Sequence, residues 1–402
     1  MTWGEPVCSP QISYCKLFKD LDKIWIQYKY FIPLHSDLQI KYRYSMDIYI
    51  NKLNFDFATN QKVMQLIGLI DGFKGKWNIV EKRENRYLKE LRKIATIESI
   101  GSSTRIEGAT LSDKEIEELL NNIKITKMQT RDEQEVIGYY EVLELIYDHY
   151  SDIQLSESYI KQLHQLLLKY SNKDERHRGG YKHLSNKVVA TYPTGEQRVI
   201  FNATDPVLVD GEMRELVEWV NIQVDAKNIH PLIINAIFIY EFLSIHPFQD
   251  GNGRLSRLLT TLCLLQNEYE FIQYISFENY IERNKKDYYE ALISGQRNRN
   301  NENERIDMWL LFFLNSLKIL SERLEQKYNV FKSKGGYLNE RQKLIKEFIT
   351  NNQPVKVSDI SNQFPEIQPS TIKKDLQYLR DEQVLVMIGK GKGSVYILRE
   401  EK

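Results

Sequence analysis

The chain has 402 residues, 42% of them hydrophobic and 27% charged, which suits two or three folded domains and excludes a disordered chain. Its 55 Lys+Arg balance 55 Asp+Glu, so net charge offers no bulk attraction toward nucleic acid or anionic lipid. The three cysteines, Cys8, Cys15 and Cys263, fit no zinc spacing and read as reduced thiols in a cytoplasmic setting, Cys263 as a core residue of the apolar run 262–265. No basic-then-apolar leader opens the sequence, and its most apolar stretch, 232–245, is interrupted by Asn235 and Glu241 and is too short to span a bilayer, so no membrane partner is expected.

Residues 1–60 are rich in aromatics, among them Trp3, Trp25, Tyr28 and Phe31, without a helical or strand period. They read as an N-terminal extension that packs on the main body or on a second copy of the chain, which leaves a homodimer open. From 61 to 330 the pattern is helical. Ser112-Asp113-Lys114-Glu115 is a capping box, in which the serine oxygen accepts a backbone N–H and the glutamate reaches back; it opens a helix carrying Ile116, Leu119 and Leu120. Further helices are expected over 130–149, 156–170, 210–225, 231–245, 253–267, 279–294 and 303–328. The one at 231–245 is apolar nearly all round and should be the buried centre. Two β-prone runs, 188–192 and 198–201, flank Pro193-Thr194-Gly195-Glu196 and read as a β-hairpin. A glycine-containing linker at 331–336 leads to a second unit, 337–402, with helices over 339–350, 357–364 and 369–382 and strands over 384–388 and 394–398. Three helices followed by a hairpin with a Gly- and Lys-rich tip (Lys390, Lys392) fit a winged helix-turn-helix domain.

The chemistry concentrates in His246-Pro247-Phe248-Gln249-Asp250-Gly251-Asn252-Gly253-Arg254-Leu255-Ser256-Arg257, between two apolar helices. Gly251, Asn252 and Gly253 let the backbone turn tightly at a helix start, where free N–H groups and the helix dipole make an anion site. Arg254 and Arg257, three apart, can clamp neighbouring phosphates. Asp250 offers a hard oxygen for Mg²⁺, which favours one or two carboxylates plus phosphate oxygens and water. His246 can accept a proton near neutral pH. A Gly-rich corner with an aspartate cap and surface arginines explains each residue singly. Base, metal ligand, anion cradle and two cations within twelve residues instead match the needs of phosphoryl or nucleotidyl transfer, which is mostly positioning and charge stabilisation.

The string resembles the Fic-family signature His-x-Phe-x-Asp-Gly-Asn-Gly-Arg-x-x-Arg at every specified position, and the likeness extends over the helical body. It implies a Fic-type helical bundle with a β-hairpin flap, and a protein adenylyltransferase that moves AMP from ATP to a hydroxyl of a target protein. It implies His246 as general base, Phe248 as anchor of the loop in the core and Asp250 as Mg²⁺ ligand. It also implies Gly251, Asn252, Gly253, Arg254 and Arg257 as phosphate-binding residues, and a target segment pairing as an extended strand along the flap at 188–201. Asn284, Tyr288 and Tyr289 lie where the family lines its nucleotide pocket; plain helix packing is the alternative for them. Ser103-Thr104-Arg105-Ile106-Glu107-Gly108 resembles the family's inhibitory pattern, which implies that Glu107, with Ser103 in the motif, pairs with Arg257 and blocks productive ATP binding within one subunit. Self-modification and removal of AMP are further activities the resemblance leaves open.

In the second unit the helix at 369–382 presents Ser370, Thr371, Lys373 and Lys374 as a recognition helix would, but residues 336–402 hold 11 Lys+Arg against 9 Asp+Glu, a weak surplus for a DNA binder. DNA and protein both remain open as partners of this unit. The alternative function is a winged-helix transcription regulator whose Fic body only senses nucleotide; the intact His246 favours the enzyme.

Overall fold

The computed structural model describes residues 49–81, 85–122, 128, 130–191, 197–333, 338, 340–381, 384–389 and 391–399. The chain divides into two compact units, Met1–Asn51 and Lys52–Lys402, and nearly all the described residues belong to the second. The expected extension at 1–60 therefore lies mostly outside the described residues.

Two long helices open the second unit, α1 (Phe57–Glu81) and α2 (Asn85–Ile106). They are followed by α3 (Asp113–Asn121), α4 (Arg131–His149) and α5 (Glu157–Leu167). The capping box read at Ser112 is present, with Glu115 N–H on the serine oxygen and the Glu115 carboxylate on Ser112 N–H, and Thr130 with Glu133 forms a second one. Strands β1 (Lys187–Thr191) and β2 (Gln197–Asn202) pair antiparallel from Lys187↔Asn202 to Thr191↔Gln197, with an irregularity between Val188 and Val189. The expected hairpin is thus formed, and its turn residues, Pro193 to Glu196, lie outside the described residues.

Helix α6 (Pro206–Ala226) leads to the centre of the unit, α7 (Pro231–Ile245) and α8 (Asn252–Gln266). Helix α7 begins at the His230 cap with Pro231 in its first turn, where a missing N–H costs nothing. Thirteen of its residues are buried, Leu232 and Ile234 through Ile245, as the all-round apolar pattern requires. It packs on α6, α8 and α11 (Asp307–Ser333). Glu241, the charge that interrupts this apolar run, is 2% exposed and held by Lys52 and by Arg299 Nη1 at 2.8 Å, while Lys52 also meets Glu304 at 3.1 Å. Burial of that carboxylate is tolerable only because both cations are present; losing one partner of a buried pair costs about 3–5 kcal/mol.

A 3₁₀ turn at Glu270–Tyr274 precedes α9 (Phe277–Arg283) and α10 (Lys285–Gln296). One helix was expected over 279–294; the chain breaks at Asn284, whose N–H bonds the Tyr280 and Ile281 carbonyls and whose side chain bonds Tyr280 O at 2.8 Å. A side-chain amide that takes a local backbone acceptor competes with the helix ladder. Helix α11 runs to Ser333, so the expected linker at 331–336 starts inside a helix and continues into residues that are not described.

The last segment has its own core of Leu338, Ile345, Ile349, Ile360, Ile372, Leu376, Leu379 and neighbours. It comprises α12 (Glu340–Asn352), a two-residue strand β3 (Val355–Lys356), α13 (Val357–Gln363), α14 (Pro369–Asp381), β4 (Leu385–Ile388) and β5 (Val395–Leu398). The sheet order is β3-β5-β4, all antiparallel; β3 has only two residues and no sequence signal of its own. Lys373 and Lys374 are exposed, while Lys390 lies outside the described residues. Among the described residues no helix is long and apolar enough to cross a membrane.

Candidate active site at the turn between the central helices

Helix α7 ends at His246, which takes the left-handed conformation (φ 53°, ψ 59°) and donates its N–H to Phe242 O. A non-glycine residue there carries a strain of about 1–2 kcal/mol, which the surrounding contacts must hold. The turn from Pro247 to Gly251 is short, and Gly251 (φ 80°) caps α8 without any side-chain hydrogen bond to its first amides. A helix start left uncapped by side chains is an anion site.

Three sets of contacts fix this loop. From within, Asn252 accepts Phe248 N–H at 2.9 Å and donates to Phe248 O at 2.8 Å. From below, Phe248 is fully buried and stacks on His164 at 3.7 Å between centroids. Gly179 N–H donates to His164 Nδ1 (2.9 Å), so Nε2 carries the proton and donates to Asp250 O (2.9 Å). From the side, Lys182 donates its N–H to Pro247 O (2.8 Å) and its ammonium to Ile245 O (3.1 Å), and Asn186 Nδ2 donates to Phe248 O (3.0 Å).

The sequence-derived residues fall into place around this loop. His246 is half-buried, with Nδ1 facing Leu243 O at 3.4 Å. Burial first, and the Lys182 ammonium second, push its imidazole down to about 4, so the ring is neutral at physiological pH. His164 is likewise pushed down to about 4, mainly by burial. Burial alone would raise the Asp250 carboxyl, but Arg254, the Gly251 N–H, Lys173 and Arg131 outweigh it and hold it low. Its Oδ1 takes Gly251 N–H (2.6 Å) and Arg254 Nη2 (3.1 Å); its Oδ2 faces Arg131 at 3.6 Å and Lys173 at 3.8 Å.

Both arginines are buried, Arg254 at 1% and Arg257 at 3% exposed, so neither is a surface residue. Arg254 Nη1 lies 3.1 Å from Glu135 Oε2, yet that nitrogen and Nε lack a properly directed hydrogen bond. Arg257 is gripped by the end of α2: Nε donates to Ser103 Oγ (2.7 Å), and Nη2 to Ser103 O (3.0 Å) and Glu107 Oε1 (2.8 Å). The spacing of four between Ser103 and Glu107 puts both on one face of the helix end. Glu107 keeps 35% of its side chain in solvent, and Arg257 with Arg254 holds its carboxyl below the usual range against the opposing effect of burial. The carboxylate also fills the glycine turn: a Cβ on Gly253 would lie 2.2 Å from Glu107 Oε1. Arg105 fastens the helix end from outside, through Glu282 on α9 and Asp113 on α3.

Tyr288 is buried against Trp309 and Phe312, and Tyr289 packs edge-on against it at 5.2 Å. Both lie in the field of the Glu107–Arg257 pair, with burial the main cause of their raised hydroxyls. Asn284 serves as the break between α9 and α10. Helix α10 also packs on β2. Sequence reasoning missed His164, Lys182, Asn186, Glu135 and Lys285, whose ammonium donates to Ile106 O at 2.9 Å. The first three lie 60 or more positions from the loop atoms they bond, and no local spacing signals such contacts.

Mg²⁺ fits this site in one way. Among the described residues no three His, Cys, Asp or Glu side chains converge, so an all-protein cage is not built. A partly exposed Asp250 beside an uncapped helix start suits an ion that shares its shell with phosphate and water, and the undirected N–H groups of Arg254 suit the phosphate rather than the ion.

The helical fold is that of Fic proteins. The crystal structure of a Fic family protein from Desulfovibrio desulfuricans G20 superposes with a TM-score of 0.60 at 22% identity, covering 87% of this chain and 98% of that one. Residues 154–264, which include α5, the hairpin, α6, α7 and the loop at 246–252, match the Fic/DOC family. The chain is 25% identical over 284 residues to a protein adenylyltransferase Fic of Nematostella vectensis, 67% of this chain and 61% of that protein. It is 27% identical over 225 residues to the Drosophila grimshawi protein of the same name, 43% of that protein's length. The chain thus spans less than two thirds of these curated relatives.

Proposed function

We propose that the chain is a protein adenylyltransferase held inactive by Glu107. The observation that carries this reading is the placement of one neutral imidazole, one carboxylate and two buried guanidiniums around an uncapped glycine turn, with the chain's own Glu107 carboxylate lodged in that turn. The adenylyltransferase names of the relatives support it.

In this reading the amides of Gly251, Asn252 and Gly253, with Arg254 and Arg257, receive the phosphates of ATP. Asp250 would hold Mg²⁺, which supplies positive charge where the leaving pyrophosphate gains negative charge. With Nδ1 toward Leu243 O, His246 Nε2 is the free acceptor. It takes the proton as the target hydroxyl oxygen bonds to the α-phosphorus and the bond to pyrophosphate breaks. An extended segment of the target lies along the hairpin β1–β2 by backbone pairing. Tyr288 and Tyr289 border the nucleotide, and Asn284 shapes that wall. Glu107 inhibits by occupying both Arg257 and the space above Gly253, so the outer phosphates cannot seat. We assign 61–330 to the catalytic domain and 337–402 to a winged-helix domain. The latter rests on the order helix, strand, helix, helix, strand, strand around a three-stranded sheet.

The test is AMP incorporation from labelled ATP and Mg²⁺. Glu107→Gly should raise self-modification at least tenfold over the unmodified chain, and Glu107→Gly/His246→Ala should fall by 10²–10⁴ from that level, the usual worth of a general base. No gain on removing Glu107 would refute the inhibition; label transfer that survives without His246 would refute the mechanism.

A further inference from the structure

The His246 backbone sits in a left-handed conformation that its own side chain does not favour, so something outside the loop must hold it. Three carbonyls around it are bonded outward by one short segment. Lys182 takes Pro247 O through its amide and Ile245 O through its ammonium. Asn186 takes Phe248 O through its side-chain amide, and its own Oδ1 accepts from Lys182 Nζ at 2.8 Å, so the two side chains brace one another. The Lys182 residue is 2% exposed, an expensive place for an ammonium unless its donors are used. Lys187, the first residue of β1, follows Asn186 directly.

We propose that Lys182 and Asn186 are positioning residues which hold the His246 backbone in its left-handed turn and tie the base of the hairpin β1–β2 to the catalytic loop. The inference rests on His246 being the base, as proposed above. A target strand docked on the hairpin is thereby placed, through five residues of chain, against a base fixed by the same segment. The charge of the ammonium also helps keep the imidazole unprotonated. Neither side chain reaches the phosphate cradle: their partners are Ile245, Pro247 and Phe248, on the His246 side of Asp250.

That separation gives the test its readout. In the Glu107→Gly background, Lys182→Met should lower kcat for AMP transfer 10- to 100-fold, the range that follows from a misplaced reacting group, with KM for ATP unchanged within twofold. Lys182→Arg, which keeps a donor and a charge, should recover part of the loss. Asn186→Ala, which leaves the Asn252 bond to Phe248 O in place, should lower kcat less, about three- to tenfold. Hydrogen–deuterium exchange provides a reading that does not depend on activity: amides of 246–251 should exchange at least tenfold faster in Lys182→Met and in Asn186→Ala, with the interior of α7 unchanged. If the Glu107→Gly parent shows no His246-dependent transfer, the function reading fails and exchange alone decides the inference. Unchanged exchange across the loop in both variants, or a kcat loss matched by an equal rise in KM for ATP, overturns it.

Discussion

The loop at 246–252 and the helix end at 103–108 meet at the same glycine turn, and they are held there in opposite ways. The loop is bound through its backbone: the carbonyls of Ile245, Pro247, Phe248 and Asp250 each accept from a side chain or amide of another segment. Glu107 is bound through its charge, by one hydrogen bond to Arg257 and with a third of its side chain in solvent. A network of backbone bonds under a buried aromatic ring is costly to disturb, whereas Glu107 is partly in solvent and Arg257 keeps its two bonds to Ser103 without it. In the proposed reading, the machinery is thus built to stay and the block upon it to be removed.

The largest expected effect comes from undoing the loop's anchor. Phe248→Ala should destabilise the fold by about 3–5 kcal/mol, read as a shift in the urea midpoint, because it removes a fully buried ring stacked on His164. It should also leave transfer low even when Glu107 is removed. A stable variant with intact transfer would show that the loop needs no anchor.

Acidity should separate the two regions next. His246 and His164 are pushed from 6.5 down to about 4, so the folded chain binds fewer protons than the unfolded chain between those values. Their contribution is therefore intact above pH 6.5 and falls toward pH 4, by up to roughly 3 kcal/mol per ring. Glu107 responds in the same direction, but over a more acidic window. Its carboxyl is lowered, so its pair with Arg257 persists until the pH drops below the ordinary carboxylate value of 4.5. Hydrogen exchange at pH 5 should show the loop amides loosening while 103–108 remains protected, and His164→Gln should flatten the stability profile.

The smallest effect tests the inhibitory side alone. Ser103→Ala removes the hydroxyl from Arg257 Nε but leaves the backbone and Glu107 contacts. It should cost about 1.5–3 kcal/mol of stability and leave transfer as low as before, since Glu107 still fills the turn. A rise comparable to that of Glu107→Gly would move the block from the carboxylate to the whole helix end.

How much of this could be read from residue order follows from how far apart partners lie. The loop was legible because base, carboxylate, glycines and arginines fall within twelve positions, and helix α7 because its apolar residues leave no polar face. The pairing of Glu107 with Arg257 came only through resemblance, as the two lie 150 positions apart. The hairpin strands were legible from two β-prone runs around a turn sequence, and the antiparallel register agrees with them. The break at Asn284 was missed because a periodic apolar pattern continues across it, and the decisive bond is a side-chain amide on a backbone carbonyl. Likewise Glu241, which looked like an interruption of α7, is explained only by Lys52 and Arg299, 189 and 58 positions away.

Gly253 has a further consequence. A hydrogen is all that residue 253 can present toward Glu107, since even a methyl carbon would come within 2.2 Å of the carboxylate oxygen. Alanine at that position would displace the Glu107 carboxylate, but it would also crowd the floor on which, in the proposed reading, a phosphate rests. Relief of inhibition and loss of the donor site would arrive together. If Glu107 is the block we propose, the chain can be switched on from the side of residue 107 and not from the side of residue 253, which would place a release mechanism on the helix that carries the carboxylate rather than on the floor beneath it.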